Sequence, residues 1–149
     1  DYSENGYIAN IYSLGNPLFH FTGVIATAYT IFFLAAKKIN NRLNKEVIAL
    51  NWLLIVYLSL WLPWQISPRI MFYYHYTPAV PLLSIIIAYW LVKIWSMKVK
   101  KNSEWNKIAV LVTVLLIVVG FITWYPQWTA LPMPKEFVDA VYYAIPSWK

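Results

Sequence analysis

The sequence predicts an all-α membrane protein with four transmembrane helices, and three observations predict it. Hydrophobic residues make up 60% of the 149-residue chain and charged residues only 12%, whereas soluble domains carry about 45–50% apolar and about 25% charged residues. Four apolar runs are long enough to cross a bilayer core, which needs about 20 helical residues. These runs have almost no polar outer face, which a soluble helical core would need.

The four spans are expected at about residues 17–36, 47–64, 77–95 and 108–125. The first begins at Pro17 and the third near Pro78 and Pro81, where the missing amide hydrogen of proline is tolerated. The fourth run is rich in β-branched residues, but its length favours a span over a buried strand. Helices are predicted throughout because lipid leaves the edges of an open sheet unpaired.

The distribution of lysine and arginine predicts the orientation of the chain. The connections after the first and third spans, with the residues next to them, hold nine of the twelve basic residues: Lys37, Lys38, Arg42, Lys45, Lys93, Lys98, Lys100, Lys101 and Lys107. The other side holds only Arg69, Lys135 and Lys149. Cytoplasmic loops are enriched in positive charge, so both basic connections are expected inside, and both termini and the loop 65–76 outside. Because the lysines cluster beside apolar runs, the net charge of +6 does not indicate a nucleic-acid partner.

The last part of the chain, from Pro126 to Lys149, is too polar and too often broken by proline to span a membrane. Apolar residues recur there at helical spacing, so a short helix in the C-terminal tail is expected on the outer surface. They are Phe137, Val138, Val141, Tyr142 and Ile145. The chain begins with Asp1 rather than methionine, and we expect residues 1–149 to form one domain excerpted from a longer multi-span protein.

Arg69 is the only cation in the predicted outer loop between the second and third spans. A guanidinium stays charged and presents a rigid fork of donors that suits phosphate or carboxylate. An arginine at the membrane edge is costly unless it has an anionic partner or reaches the headgroups. The loop therefore predicts anion recognition, with contact to lipid headgroups or loop carbonyls as the alternative.

Three further candidates for ligand binding follow in the same loop: Tyr74, His75 and Tyr76. Histidine and tyrosine can donate to phosphate oxygens, although aromatic residues at a membrane boundary commonly serve as interfacial anchors. No metal site is expected, since the chain has no cysteine and His20 is far away in the sequence. Asn51, inside the second span, is expected to form a hydrogen bond between helices.

Three stretches resemble the C-terminal membrane region of the protein O-mannosyltransferases. The loop from Ser67 to Pro81 carries a proline-arginine pair, aromatics, a histidine-tyrosine and a proline-alanine that leads into a span. Gly15-Asn16-Pro17 precedes the first span, as in that family. The tail, with Tyr125-Pro126, the segment 131–134 and the segment 145–148, is similar to the family's outer tail.

The resemblance implies part of a glycosyltransferase that moves mannose from a polyprenyl-phosphate carrier to serine or threonine hydroxyls of proteins outside the cytoplasm. Donor-phosphate or pocket contacts are carried over to Arg69, His75, Tyr76 and Tyr74. The family's aspartate base lies upstream, so no catalytic residue is expected here and the segment alone should be inactive. The implied partners are the mannose donor, the acceptor protein, the bilayer and the enzyme's N-terminal helices, with no cofactor.

Two alternatives to this function stay open at the level of the sequence. One is a sibling transferase that uses a lipid donor with another sugar or acceptor, and the other is a non-catalytic four-span scaffold or lipid-binding subunit. Abundant lysine, isoleucine, asparagine and tyrosine are typical of AT-rich prokaryotic genomes. This composition favours a prokaryotic cell membrane over the endoplasmic reticulum.

The predicted orientation is testable because the chain has no cysteine of its own. A cysteine at Ser67 should react with a membrane-impermeant maleimide added to intact cells, and one at Asn102 should react only after the cells are opened. The reverse labelling pattern would contradict the predicted topology.

Overall fold

The computed structural model has four long helices and a small mixed unit built from both chain termini. It describes residues 2–4, 6–9, 15–39, 44–66, 73–97 and 104–142. The long helices are α1 (Pro17–Ile39), α2 (Lys45–Ile66), α3 (Val80–Trp95) and α4 (Trp105–Thr129). Two short 3₁₀ turns, Tyr73–His75 and Thr77–Ala79, lead into α3. All four helical segments are long and apolar enough to cross a membrane, which confirms the predicted all-α four-span protein.

The helices alternate in direction and give the bundle two chemically different ends. We call the end where α1 and α3 begin and α2 and α4 finish the aromatic end. The opposite end, where α1 finishes at Lys37 and Lys38 and α2 begins at Lys45, is called the lysine-rich end. The predicted cytoplasmic connections belong to the lysine-rich end.

Helices α1, α2 and α4 are somewhat longer than the predicted spans, whereas α3 begins at Val80, after the 3₁₀ turn Thr77–Ala79. The fourth span was expected to finish at about Tyr125, before Pro126, and α4 continues four residues further, through Pro126 to Thr129. Proline removes one backbone hydrogen bond and loosens its turn. The Tyr142 hydroxyl donates to the Thr123 carbonyl in that region, so a tertiary contact supports the helix where the local signal predicts its end.

The apolar core lies among α1, α2 and α3, while α4 packs against α1 and α3 from one side. Leu83 and Ile86 of α3 are almost completely buried at its centre. Gly23 of α1 lies directly against Leu83, and a side chain there would come within 2.5 Å of a Leu83 methyl group. This absence of a side chain lets α1 and α3 approach closely, as small residues do in membrane helix pairs.

One polar chain lies inside this core. The indole Nε1 of Trp90 donates to the Thr30 hydroxyl at 2.7 Å, and that hydroxyl donates to the Ala26 carbonyl at 2.7 Å. Thr30 is completely buried, so both of its hydrogen-bonding functions are used within the protein. In a hydrocarbon environment an unpaired hydroxyl or indole would cost several kcal/mol, on the order of 2–7.

Two asparagines connect α4 to the rest of the bundle. Asn16 accepts hydrogen bonds from the amides of Leu18 and Phe19 and so caps α1, while its Nδ2 donates to the Ile117 carbonyl of α4 at 2.8 Å. At the lysine-rich end, Asn106 donates to carbonyls at the end of α3. Each side-chain amide forms hydrogen bonds with backbone groups at the end of one helix and connects that helix to another.

Both termini form a cap over the last turns of α4. Three short antiparallel strands, β1 (Tyr2–Glu4), β2 (Tyr7–Ala9) and β3 (Met133–Pro134), lie in the order β1-β2-β3. Helix α5 (Lys135–Val141) follows β3 directly, which confirms the predicted short helix in the tail. The three strands were not predicted.

Tyr142 fastens this cap to α4. Its ring packs against Trp124 with ring centres 4.7 Å apart, and its hydroxyl donates to the Thr123 carbonyl. Burial raises the pKa of the Tyr142 phenol above its usual value, so the group stays protonated and able to donate at neutral pH. Ile145 of the predicted tail helix lies outside the described residues.

A polar triad closes the lysine-rich end. Lys93 forms an ion pair with Glu46 at 2.8 Å and also donates to the Tyr89 hydroxyl at 2.7 Å. The same tyrosine donates to Glu46 at 2.6 Å. The Lys93 ammonium also lies 4.9 Å from the centre of the Phe33 ring, within the range of a cation–π contact. These contacts join α1, α2 and α3 at one level.

Candidate functional site

The candidate site lies at the aromatic end, where the two 3₁₀ turns bring the segment from Tyr73 to Tyr76 against α1 and α2. Pro78 and Pro81 favour turn and early-helix positions, so this segment turns before α3 begins. Four polar aromatic residues meet there from three parts of the chain. We call them the His20 cluster: His20, Tyr57, Tyr73 and Tyr76.

The closest polar contact of the cluster joins α1 to the first 3₁₀ turn. His20 Nε2 lies 3.0 Å from the Tyr73 hydroxyl, and the imidazole tautomer decides which of the two atoms donates. The His20 ring also lies edge-on to Tyr73, with centres 5.7 Å apart, and 5.3 Å from the centre of Tyr76. Both His20 and Tyr73 are half-buried, so the pair is only partly shielded from solvent.

A second hydroxyl pair continues the cluster toward α2. The Tyr57 and Tyr76 hydroxyls lie 3.1 Å apart. Tyr57 is buried in the core, and Trp61, one turn further along α2, is parallel to its ring with centres 6.4 Å apart. Because a phenol both donates and accepts, one hydrogen of this pair is left to donate to a third group.

Gly15 provides the space for the His20–Tyr73 contact. A side chain at Gly15 would overlap both the imidazole Nε2 and the phenol oxygen. Asn16 caps α1 and Pro17 is its first residue. The stretch Gly15-Asn16-Pro17 thus has a physical explanation, since it combines a close approach, a helix cap and a proline start in three residues.

His75 lies beside the cluster in a separate aromatic stack. Its ring lies 4.3 Å from Trp64 and 4.0 Å from Tyr74, and the contact with Tyr74 is parallel. Tyr74 is 62% exposed. We call Trp64, Tyr74 and His75 the Trp64 stack. It offers an exposed aromatic face, of the kind that packs on apolar or sugar-ring surfaces, next to the polar His20 cluster.

The structure thus describes three of the four predicted substrate-binding residues, Tyr74, His75 and Tyr76, and brings them to one end of the bundle. Arg69 lies outside the described residues. Within the described ranges, no three histidine, aspartate or glutamate side chains are grouped closely enough to hold a metal ion.

Sequence reasoning missed four residues of this site: His20, Tyr57, Tyr73 and Trp64. His20 is 53 positions before Tyr73, and no periodicity links the two. The usable signal was Gly15-Asn16-Pro17, because a glycine directly before a helix start indicates that another group approaches the backbone there.

Comparison with known proteins identifies the family of this chain. The family described as the C-terminal four TMM region of protein-O-mannosyltransferase matches residues 2–148. The chain belongs to this family. No curated protein and no solved structure matches it significantly. The match spans the N-terminal hairpin, the four helices and the cap, so the protein is the integral membrane C-terminal region of a mannosyltransferase.

The His20–Tyr73 contact can be tested by a double-mutant cycle in the mannosyltransferase. His20→Ala and Tyr73→Phe should each lower the free energy of unfolding. The loss in the double variant should be about 1 kcal/mol smaller than the sum of the two single losses. Thermal unfolding in detergent measures all three variants. Tyr73→Phe combined with Thr113→Val is the additive control, since the Thr113 hydroxyl donates to the Ala109 carbonyl of its own helix. Strict additivity for His20 and Tyr73 would show that the contact contributes nothing.

Proposed function

We propose that this region forms part of the donor site of an enzyme that transfers mannose from a polyprenyl-phosphate carrier to serine or threonine hydroxyls of proteins on the extracytoplasmic side. Membership of the mannosyltransferase family supports the reaction class. The observation that carries the proposal is the convergence of His20 with Tyr73 and Tyr76 at the aromatic end. Arg69 is four residues before Tyr73 in the sequence, so the covalent chain ties it to this end.

The chemistry of the transfer explains why such groups are useful there. The acceptor hydroxyl attacks the anomeric carbon of mannose, and the bond from that carbon to the phosphate oxygen breaks. Negative charge then grows on the leaving phosphate. A fixed guanidinium and oriented hydrogen-bond donors stabilise that charge more strongly in the transition state than in the bound donor.

The residues divide into proposed roles according to their surroundings. Arg69 pairs with the donor phosphate, because a guanidinium binds phosphate oxygens in a bidentate manner. Tyr76 and His75 supply further hydrogen bonds, and the exposed ring of Tyr74 forms a wall of the pocket. His20 and Tyr57 act through Tyr73 and Tyr76 as positioning residues, since each contacts the hydroxyl of one of these tyrosines.

The proton of the acceptor hydroxyl is taken by a base from the upstream part of the enzyme. Glu136 and Asp139 of α5 are the only carboxylates of the cap side chains that the structure describes. Helix α5 packs against β2 and β3, and Tyr142, which follows it, packs against Trp124 of α4. The proposed site therefore contributes phosphate binding and pocket shape. Catalysis requires the whole enzyme.

Removal of the guanidinium is the direct test of this function. Arg69→Ala in the full-length enzyme should lower the rate of mannose transfer about 100-fold, the usual effect of losing one charge-stabilising donor. Arg69→Lys should restore the rate only in part, because an ammonium lacks the planar fork. The assay follows transfer from a synthetic polyprenyl-phosphate-mannose to a threonine peptide in membranes.

Lys135→Ala is the matched control, since Lys135 is another cation on the same side at the start of α5. It should leave the rate within about twofold, as expected for an exposed charge away from the site. Equal rates for Arg69→Ala and the unmodified enzyme would remove Arg69 from the donor site. Absence of transfer from any mannose donor in the unmodified full-length protein would instead favour the non-catalytic scaffold.

A further inference from the structure

A groove lies between α1 and α2 near the lysine-rich end. Its volume is about 450 Å³. Most of the lining is apolar and two residues are polar: the groove is lined by Ile31, Leu34, Ala35, Lys38, Val47, Ile48, Asn51 and Leu54. The His20 cluster contributes none of these residues, so the groove is separate from the proposed donor site.

The positive charge at the mouth of this groove has no counter-charge among the residues that the structure describes. Lys93 is paired with Glu46, and Lys107 is paired with Glu104, each at 2.8 Å. Lys38 lines the groove and has no ion pair or hydrogen bond from its side chain within the part of the chain that the structure describes. Its neighbour Lys37 lies over the Phe33 ring instead. The groove is thus the place where a free positive charge meets an apolar surface.

Asn51 provides a second polar group deeper in the same groove. It follows Lys45, the first residue of α2, by six positions, which corresponds to about 9 Å along the helix. Its side chain is exposed on the groove wall and forms no hydrogen bond among the described residues. An amide at that depth needs a hydrogen-bonding partner, because hydrocarbon provides none.

We propose that the α1–α2 groove binds an anionic phospholipid of the leaflet at the lysine-rich end. The phosphate lies at Lys38, an ester carbonyl accepts from the Asn51 amide, and an acyl chain lies against Ile31 and Leu54. The order of these contacts along the groove, cation then amide then apolar wall, matches the order of phosphate, ester and chain in a phospholipid.

A second groove in the bundle shows why the charge matters. It lies among α1, α3 and α4 and has a volume of about 510 Å³. None of its lining residues is charged; they include Leu18, Phe21, Ile94 and Met97. That groove can hold an acyl chain, but it has nothing that would select a headgroup. Selectivity for an anionic lipid is therefore expected of the α1–α2 groove.

Native mass spectrometry of the full-length enzyme tests the proposal with two lipids of identical chains, phosphatidylglycerol and phosphatidylcholine. The unmodified enzyme should retain phosphatidylglycerol about fivefold more strongly, the effect of one lysine near an anionic headgroup. Lys38→Gln should remove this preference, and Lys38→Arg should keep it. Asn51→Leu should weaken retention of both lipids, because the ester group is common to them.

Lys107→Gln is the matched control, since Lys107 lies at the same end and is already paired with Glu104. Equal losses for Lys38→Gln and Lys107→Gln would show diffuse attraction and overturn the proposal. Displacement of the lipid by water-soluble glycerol phosphate would also overturn it, as it would show a site for a free anion. Disulfide formation between an Ile48→Cys variant and a cysteine introduced into another helix of the full-length enzyme, with no lipid retained, would show that protein fills the groove.

Discussion

The exclusion of water from the bilayer is the constraint on which the rest of this structure depends. A polar group inside a span must find its partner in the protein or in a bound molecule, because hydrocarbon offers none. The buried Thr30 hydroxyl does so between Trp90 and Ala26. Most other side-chain hydrogen bonds that connect the described helices lie toward the two ends, at the Glu46–Tyr89–Lys93 triad and in the His20 cluster. The bundle therefore has an apolar middle and two ends of different chemistry.

This division explains how one small bundle can serve a reaction at a membrane surface. The aromatic end combines hydroxyl and imidazole groups with half-buried rings, and the lysine-rich end pairs two of its lysines, Lys93 and Lys107, with glutamates. Close helix contacts such as Gly23 against Leu83 hold the scaffold of the aromatic end in place. A site built on rigid helix ends suits the proposed donor, because the phosphate of a polyprenyl-phosphate sugar would lie at the surface while its lipid tail stays in the membrane.

The sequence was sufficient for the four spans because length and hydropathy decide a membrane helix with little help from tertiary structure. It was insufficient where contacts between distant segments decide. Pro126 predicts a helix end, yet the cap and Tyr142 support the helix beyond it. The hairpin had a signal in Asn5-Gly6, a favoured two-residue turn, and Gly6 adopts a φ of 80° there. For His20 the only local signal was indirect, the glycine at Gly15 before the helix start, since only folding brings His20 to Tyr73.

The position of the donor phosphate tests the central claim most directly. A cryo-electron microscopy structure of the full-length enzyme with a bound polyprenyl phosphate would show it. We predict density for the phosphate at the aromatic end, with the Arg69 guanidinium at hydrogen-bonding distance, about 2.7–2.9 Å, and the His20 cluster beside it. Phosphate density at the lysine-rich end, or at a site formed entirely by upstream helices, would contradict the account.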